Sequence, residues 1–155
     1  MTRARAIAHG EQYFDSGQLH SDLAHPVVYR RESQTNAPAP VLWHYLRQAI
    51  EPRPAAMGFA NQNQDIAGTG VKGGPVLLAT RIKGAVLTSG HGDVIRWQDC
   101  AWRPGLTPFV LIDAGERLYG RGSADNRVPH LINIAALESV LAVGGRLGVN
   151  VNFVL

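Results

Sequence analysis

The sequence has a single cysteine and no long apolar run. Cys100 is the only cysteine among 155 residues, which excludes an intrachain disulfide and a thiolate zinc cluster. Nothing approaches the roughly 18 consecutive apolar residues that a membrane-spanning helix needs. The basic start of the chain is not followed by an apolar segment, so no secretory signal peptide is expected. These absences predict a soluble, cytoplasmic protein with no membrane partner.

A basic stripe of the kind that follows a nucleic-acid backbone is also missing. The formal net charge is only +3, from 15 basic and 12 acidic residues. Apart from Arg3 with Arg5 and Arg30 with Arg31, the basic residues are scattered, and no aromatic residues alternate with them. Net charge alone affects solubility and non-specific attraction. We therefore expect no nucleic-acid partner, and DNA binding is an alternative that rests on the net charge alone.

What the chain does have is the composition of one globular domain with many turns. It is 45% apolar and 17% charged, with 17 glycines and 9 prolines. Prolines at positions 26, 52 and 54 are expected to end helices, because proline disfavours helix in the residue before it and lacks an N–H. The first helices are expected at 4–14, stopped by Asp15-Ser16-Gly17, at 18–24, and at 41–50, where apolar residues recur at helical spacing.

Strands follow from position 58 onward. Short apolar runs bounded by glycines predict strands at 59–66, 75–81, 85–88 and 149–155, and a hairpin across 109–119. The segment 97–108, with Trp97 and Trp102, is expected to be a surface loop. Pro129 suits the start of a helix over 130–143, which Gly144 and Gly145 would end.

The order strand, helix, strand at the end of the chain predicts a crossover unit. Parallel strands need such a crossover, so we expect the α/β class, with a mostly parallel sheet flanked by helices. We interpret residues 1–155 as a single partial catalytic domain, with a helical lead-in over 1–57 and the sheet and crossover helix over 58–155. Trp43 and Tyr45 are interpreted as core or cover residues rather than a binding site.

Three side chains could carry chemistry at one edge of this sheet. His91 and Asp93 follow the strand at 85–88, and Asp125 follows a glycine-flanked segment before the last helix. The carboxyl ends of strands in α/β sheets form one rim, where ligands commonly bind. An imidazole can bind a metal through one nitrogen while a carboxylate holds the other N–H. Simpler interpretations are a structural histidine at 91 and a helix-capping aspartate at 125.

The two motifs together resemble a known enzyme family. The strand followed by Ser-Gly-His-Gly-Asp-Val (89–94), a tryptophan loop, and Tyr-Gly-Arg-Gly-Ser-Ala-Asp-Asn (119–126) before a helix is similar to the co-catalytic zinc metallopeptidases. That family includes acetylornithine deacetylase, succinyl-diaminopimelate desuccinylase, aminoacylase and glutamate carboxypeptidase. The resemblance is to the amino-terminal half of these enzymes; it covers residues 12–155 and is most specific over 85–155.

The resemblance implies a role for each of the three residues. His91 corresponds to a ligand of one zinc, Asp93 to the catalytic aspartate that orients it, and Asp125 to the carboxylate that bridges two zinc ions. The family hydrolyses amide or peptide bonds: the zinc ions polarise the carbonyl and acidify a water whose proton passes to a glutamate. A small peptide or N-acyl amino acid is the implied substrate. Where the family has Asn-Lys-Gly after the bridging aspartate, this chain has Asn126, Arg127 and Val128.

The family's glutamates and its lid or dimerisation domain would lie beyond Leu155. We therefore expect a truncated domain that lacks the lid and is inactive by itself, and the resemblance implies homodimers only for relatives of full length. We also expect the last strand to present an apolar edge carrying Val149, Val151, Phe153 and Val154. The alternative is a non-catalytic binding or interaction module that retains the scaffold.

Overall fold

A computed structural model describes residues 2–30, 39–65, 74–81, 86–95 and 98–155. The predictions made for Ile66, Ala85 and Trp97 lie outside these residues. The helices are α1 (Arg3–Asp15), α2 (Gln18–Val27), α3 (Ala39–Tyr45), α4 (Pro52–Ala56) and α5 (Val128–Gly144), with π-helical turns at Leu46–Ile50 and Ser123–Arg127 and a 3₁₀ turn at Asp99–Ala101. The strands are β1 (Ala60–Asp65), β2 (Pro75–Arg81), β3 (Val86–Ser89), β4 (Ile112–Asp113), β5 (Leu118–Tyr119) and β6 (Val151–Val154).

Proline acts differently from the prediction in two places. Helix α2 continues through Pro26 to Val27, where both side chains are buried. Because Pro26 lies in the last turn, it costs one backbone hydrogen bond, which the burial of these two side chains offsets. The helix predicted over 41–50 does end before Pro52. However, Pro52 and Pro54 then belong to α4, since proline fits the first turn, where its missing N–H is not needed.

The α/β class is confirmed, but the sheet is mixed rather than mostly parallel. Its strand order is β1-β2-β6-β3. Only β3 and β6 are parallel, and α5 lies between them in the chain as the crossover predicts. β1 pairs with β2, and β2 with β6, in antiparallel register. A parallel pair needs a connection of about a dozen residues or more, and the link over 66–74 between β1 and β2 is too short for one.

The expectation of an exposed apolar edge at the last strand is wrong. β6 lies between β2 and β3, so both of its edges are paired, and Val151 and Phe153 are each 1% exposed. These two side chains alternate with half-buried neighbours, as expected for a strand with one face on the core. In the described sheet β3 is an edge strand instead, and its one partner there is β6. There Leu87 is 67% exposed, and Val86 is also exposed.

Replacing Leu87 with lysine is expected to reduce self-association of the chain. An exposed apolar edge strand offers unpaired backbone groups to a second chain, and a lysine there opposes pairing through charge. Stability should change by no more than about 0.5 kcal/mol, because the side chain is on the surface. Sedimentation velocity across a concentration series measures the effect. Ile132→Lys, at an exposed apolar position on α5, is the control; an equal effect of both changes would contradict a role for the β3 edge.

The main core lies between the sheet and the helices. One face of the sheet packs against the α3–π-helical segment and α5 in a cluster of Tyr45, Leu46, Ile50, Phe59, Leu77, Ala79, Ile134, Val151, Phe153 and Leu155. The interpretation of Tyr45 as a core residue is confirmed, since it is almost fully buried. A smaller cluster of Leu23, Val27 and Leu131 joins α2 to α5. The packing of α5 on both clusters fixes where its first turn, next to Asp125, lies.

A polar network fastens the helices to one another away from the sheet. The guanidinium of Arg53 in α4 makes a bidentate contact with Glu138 in α5 and lies 3.0 Å from a carboxylate oxygen of Asp22 in α2. The hydroxyl of Tyr13 in α1 donates to the same Asp22 carboxylate at 2.7 Å. Burial, followed by this hydrogen bond, raises the pKa of Tyr13 to about 12. Arg53 therefore connects four helices.

Candidate metal centre

The rim at the end of β3 is built around a glycine. Gly90 continues the ladder by donating its N–H to the carbonyl of Val154 at 3.0 Å. A Cβ at this position would lie 2.9 Å from the Oδ1 atom of Asn126 and 2.9 Å from the Cβ atom of His130. Only glycine leaves room for such a close approach of the strand end to the start of α5. The residues after β3 are thereby placed beside those that precede the helix.

A second glycine shapes the opposite side of the rim. Gly122 has φ +69°, in the left-handed region that favours glycine, and a Cβ there would lie 2.6 Å from Cγ1 of Val94. Val94 is buried and fills the space that the glycine leaves. The turn at Ser123–Arg127 then carries Asp125 back toward the end of β3. The peptide bond between Asp125 and Asn126 is cis.

The structure brings His91, Asp93 and Asp125 together. The Nδ1 atom of His91 is 3.0 Å from Oδ1 of Asp93, and its Nε2 atom is 3.1 Å from Oδ1 of Asp125. His91 is 53% exposed and Asp125 is 86% exposed at the side chain. Neither the turn at Ser123–Arg127 nor α5 has a side-chain cap hydrogen bond, and the Asp125 carboxylate faces the imidazole of His91. The simpler interpretation of Asp125 as a helix cap is therefore wrong.

This arrangement has a consequence for charge. A neutral imidazole has one N–H donor and one nitrogen with a lone pair. If Nδ1–H donates to Asp93, the lone pair of Nε2 faces a carboxylate oxygen of Asp125, which is repulsive. A metal ion held between these two atoms would remove the repulsion. The geometry therefore suits a metal ion between His91 and Asp125.

Two residues that the sequence analysis did not single out complete the rim. The side-chain oxygen of Asn126 accepts the backbone N–H of His91 at 3.3 Å, which ties the two motifs together. Arg121 lines the cavity beside the three predicted residues, with Val94, Ile95 and Gly122. The cavity measures about 250 Å³ and is open to solvent. Both residues lie inside the quoted motifs, but their long-range contacts leave no local sequence signal.

Buried polar side chains hold the turn at Ser123–Arg127 and the start of α5 in place from the protein interior. Arg127, at the position where the family has lysine, is 0% exposed and donates to the backbone carbonyl of Tyr29 at 3.2 Å. His130 is buried as well, and its Nε2 atom lies 2.8 Å from the hydroxyl of Tyr45. A planar guanidinium with five donors suits such a buried position better than an ammonium group does. These contacts anchor the start of α5 to the segment that follows α2 and to α3.

Ligand atoms for a metal are few in the described part of the chain. No group of three or more His, Cys, Asp or Glu side chains there is arranged to hold a metal ion. The rim offers one imidazole nitrogen and one carboxylate, while Asp93 lies on the other side of the imidazole. Catalytic zinc sites usually have three protein ligands. The rim residues therefore fit part of a zinc site.

Comparison with known proteins finds similarity in sequence and in structure to dipeptidases. Human Beta-Ala-His dipeptidase is 39% identical over 87 residues, which is 52% of this chain and 17% of that protein. Human carnosine dipeptidase 1 superposes with a TM-score of 0.78 at 26% identity, covering 96% of this chain and 34% of its own. The di-peptidase Dug1p of Saccharomyces cerevisiae superposes with a TM-score of 0.77 at 19% identity, covering 97% and 33%. No protein-family model matches the sequence.

The extent of these matches limits what they imply. The chain spans about a third of the length of the two solved dipeptidases. The match to Dug1p shows the shared fold, whereas the human proteins add similarity of sequence. Within the described residues no helix is long and apolar enough to cross a membrane. The chain is thus similar, over about a third of their length, to dipeptidases of the co-catalytic zinc metallopeptidase family.

Proposed function

We propose that the chain supplies one side of a zinc site for the hydrolysis of peptide or amide bonds. The observation that carries this proposal is the placement of His91 between two carboxylates, with each imidazole nitrogen about 3 Å from an aspartate oxygen. The metallopeptidase relatives support it, because they are dipeptidases. The proposed substrate is a small peptide or an N-acyl amino acid. No nucleic acid or membrane takes part.

In this proposal the three residues have separate tasks. Asp93 accepts the Nδ1–H of His91 and so keeps Nε2 as the nitrogen with the free lone pair. His91 Nε2 and the carboxylate of Asp125 would hold the metal. The two ligand atoms are 3.1 Å apart, and two ligands of a tetrahedral zinc, each about 2.0–2.1 Å from the metal, lie roughly 3.3 Å apart. Zinc supplies Lewis-acid polarisation of the amide carbonyl and makes water more acidic.

The chain by itself is expected to bind zinc weakly and to show no substantial peptidase activity. Two ligands leave the metal exchanging with water, and no described carboxylate beyond Asp93 and Asp125 lines the cavity to accept a proton. Incubation of the pure chain with zinc and a set of dipeptides, followed by detection of free amino groups, measures this. Robust hydrolysis that a chelator abolishes would contradict the expectation.

Metal binding tests the assignment of the residues. Titration of ¹⁵N-labelled chain with Co²⁺, followed by paramagnetic shifts in NMR spectra, should move the resonances of His91 and Asp125 first. Asp93→Asn should weaken this binding by about tenfold, because the change removes a carboxylate that holds the imidazole. Asp125→Ala should abolish it, whereas Glu116→Ala, at an exposed acidic residue in the hairpin, serves as the control. Identical binding by all variants would contradict the proposal.

A second candidate function is a binding or interaction module that retains the scaffold without catalysis. The observation that favours it is that no three or more His, Cys, Asp or Glu side chains among the described residues are grouped so that they could hold a metal ion. Such a module needs neither His91 nor Asp125. Its stability and its partners should therefore be unchanged when both become alanine, and the Co²⁺ titration should show no site at the rim.

The organisation and location of the protein are also part of the proposal. We propose that residues 1–155 form one partial catalytic domain, with 1–57 as the helical lead-in and 58–155 as the sheet and crossover helix. We propose a cytoplasmic location. The exposed free thiol of Cys100 supports it, because an exposed thiol persists best in a reducing compartment.

A further inference from the structure

Arg121 connects three chain segments that surround the cavity. Its backbone N–H donates to the carbonyl of Pro108 at 2.6 Å, in the loop that precedes the hairpin. Its side-chain Nη2 donates to the carbonyl of Ile95 at 3.0 Å, in the segment that follows His91 and Asp93. Arg121 itself lies in the turn that leads to Asp125 and forms part of the cavity wall. Arg121 thus contacts both the loop at Pro108 and the segment at Ile95 from the turn in which it lies.

The two candidate ligands belong to segments that are far apart in sequence, so the fold has to hold these segments at a fixed separation. Contacts between the segments are of two kinds. His91 touches Asp125 and Asn126, and these contacts involve the ligand residues themselves. The hydrogen bond from Arg121 to Ile95, and the packing of Val94 into the space at Gly122, do not involve a ligand. The second kind can hold the segments together before any metal arrives.

We propose that Arg121 is a positioning residue, which sets the separation between the segment carrying His91 and Asp93 and the turn carrying Asp125. This inference rests on the proposed metal site for its functional meaning, although the connection itself does not. The guanidinium suits the task because its donors are fixed in one plane and reach a carbonyl in a defined direction. A site whose ligands are prealigned loses less conformational freedom when it binds a metal.

Variants at position 121 test the inference without any metal present. Arg121→Met keeps a long side chain and removes its donors, and Arg121→Lys keeps one cationic donor. Arg117→Met, in the exposed turn of the hairpin, is the matched control. In the metal-free chain, the nuclear Overhauser effect between the Val94 methyl groups and the Gly122 α-protons should disappear in Arg121→Met. It should persist in Arg117→Met and be partly restored in Arg121→Lys.

The Co²⁺ titration then connects the positioning to metal binding. Arg121→Met should weaken Co²⁺ binding by about tenfold, as other residues that orient ligands do. The midpoint of thermal unfolding of Arg121→Met should remain close to that of Arg117→Met, which separates positioning from a general loss of fold. Partial recovery of affinity in Arg121→Lys is the expected rescue.

The outcomes separate this inference from the proposed function. If the wild-type chain binds no Co²⁺ at the rim, the proposed function fails, and the Val94–Gly122 contact still decides whether Arg121 holds the segments. If that contact and the Co²⁺ affinity are both unchanged in Arg121→Met, the inference is wrong and the metal site stands. If Arg121→Met unfolds, Arg121→Lys decides: a Val94–Gly122 contact and a Co²⁺ affinity weaker than those of Arg117→Met in a folded Lys variant support positioning, and values equal to those of Arg117→Met overturn it.

Discussion

Gly122→Ala is expected to lower the free energy of unfolding by about 3 kcal/mol. A left-handed conformation costs an L-residue roughly 1–2 kcal/mol, and forcing an extra methyl group into a packed site costs about 1–3 kcal/mol. Both apply here, because Gly122 has φ +69° and its added Cβ would lie 2.6 Å from Cγ1 of Val94. Chemical denaturation followed by circular dichroism measures the change. At this chain length it corresponds to a fall in melting temperature of roughly 6–12 °C.

Gly115→Ala separates the two contributions. Gly115 also has a positive φ, at +80°, but an added Cβ there meets no atom within 4 Å. The control should therefore lose only the conformational part, about 1 kcal/mol. Equal losses for the two variants would show that the contact between Val94 and Gly122 does not determine the packing of the turn.

Arg53→Ala is expected to cost about 2–3 kcal/mol, the second large effect. The change leaves the carboxylates of Asp22 and Glu138 without the cation between them, and both are only partly exposed. Breaking a fully buried ion pair costs about 3–5 kcal/mol, and partial exposure reduces the figure. The network joins α1, α2, α4 and α5, so the unfolding transition should remain cooperative while its midpoint falls. Urea denaturation at neutral pH provides the measurement.

Arg47→Ala serves as the comparison for Arg53→Ala. Arg47 also stacks on an aromatic ring, with its guanidinium 4.6 Å from the centre of the Trp43 ring, but it is exposed on the helix surface. An exposed contact of this kind contributes about 0.5–1 kcal/mol. A loss for Arg53→Ala no larger than that for Arg47→Ala would mean that the ion pairs contribute little to the packing of the helices.

Elements whose ends are marked by local chemistry could be predicted from the sequence. Pro129 lies in the first turn of α5, and Gly145, with φ +66°, ends it, as proline and glycine at these positions predict. The strands β2 and β3 fall within or close to their predicted ranges because their apolar runs are bounded by glycines. Helix α1 ends at Asp15, where Gly17 takes φ +77°.

Strand direction and pairing could not be predicted in the same way. Whether β1 runs parallel or antiparallel to β2 depends on contacts across the sheet, to which the periodicity of a single strand is insensitive. The same holds for β6, whose position between β2 and β3 removes the exposed edge that its apolar residues suggested. Pro26 within α2 is a case in which tertiary burial outweighs the local preference of proline.

In the candidate site, too, the residues within local motifs could be predicted and those that act through long-range contacts could not. His91, Asp93 and Asp125 are visible in the sequence because each belongs to a glycine-containing motif at the end of an element, and the structure brings them together. Their roles as ligands and orienting group remain predictions. The contributions of Asn126 and Arg121 depend on hydrogen bonds that cross 35 and 26 positions of the chain, so no pattern of neighbouring residues indicates them.

The solvent exposure of the rim has an electrostatic consequence. Asp125 is 86% exposed at the side chain, so its field acts largely through water. Two unit charges 4 Å apart attract by about 1 kcal/mol in bulk water, compared with about 4 kcal/mol at an effective dielectric constant of 20. A surface that covered the rim and expelled this water would strengthen the pull of the same side chains on a cation several-fold, without moving any of them.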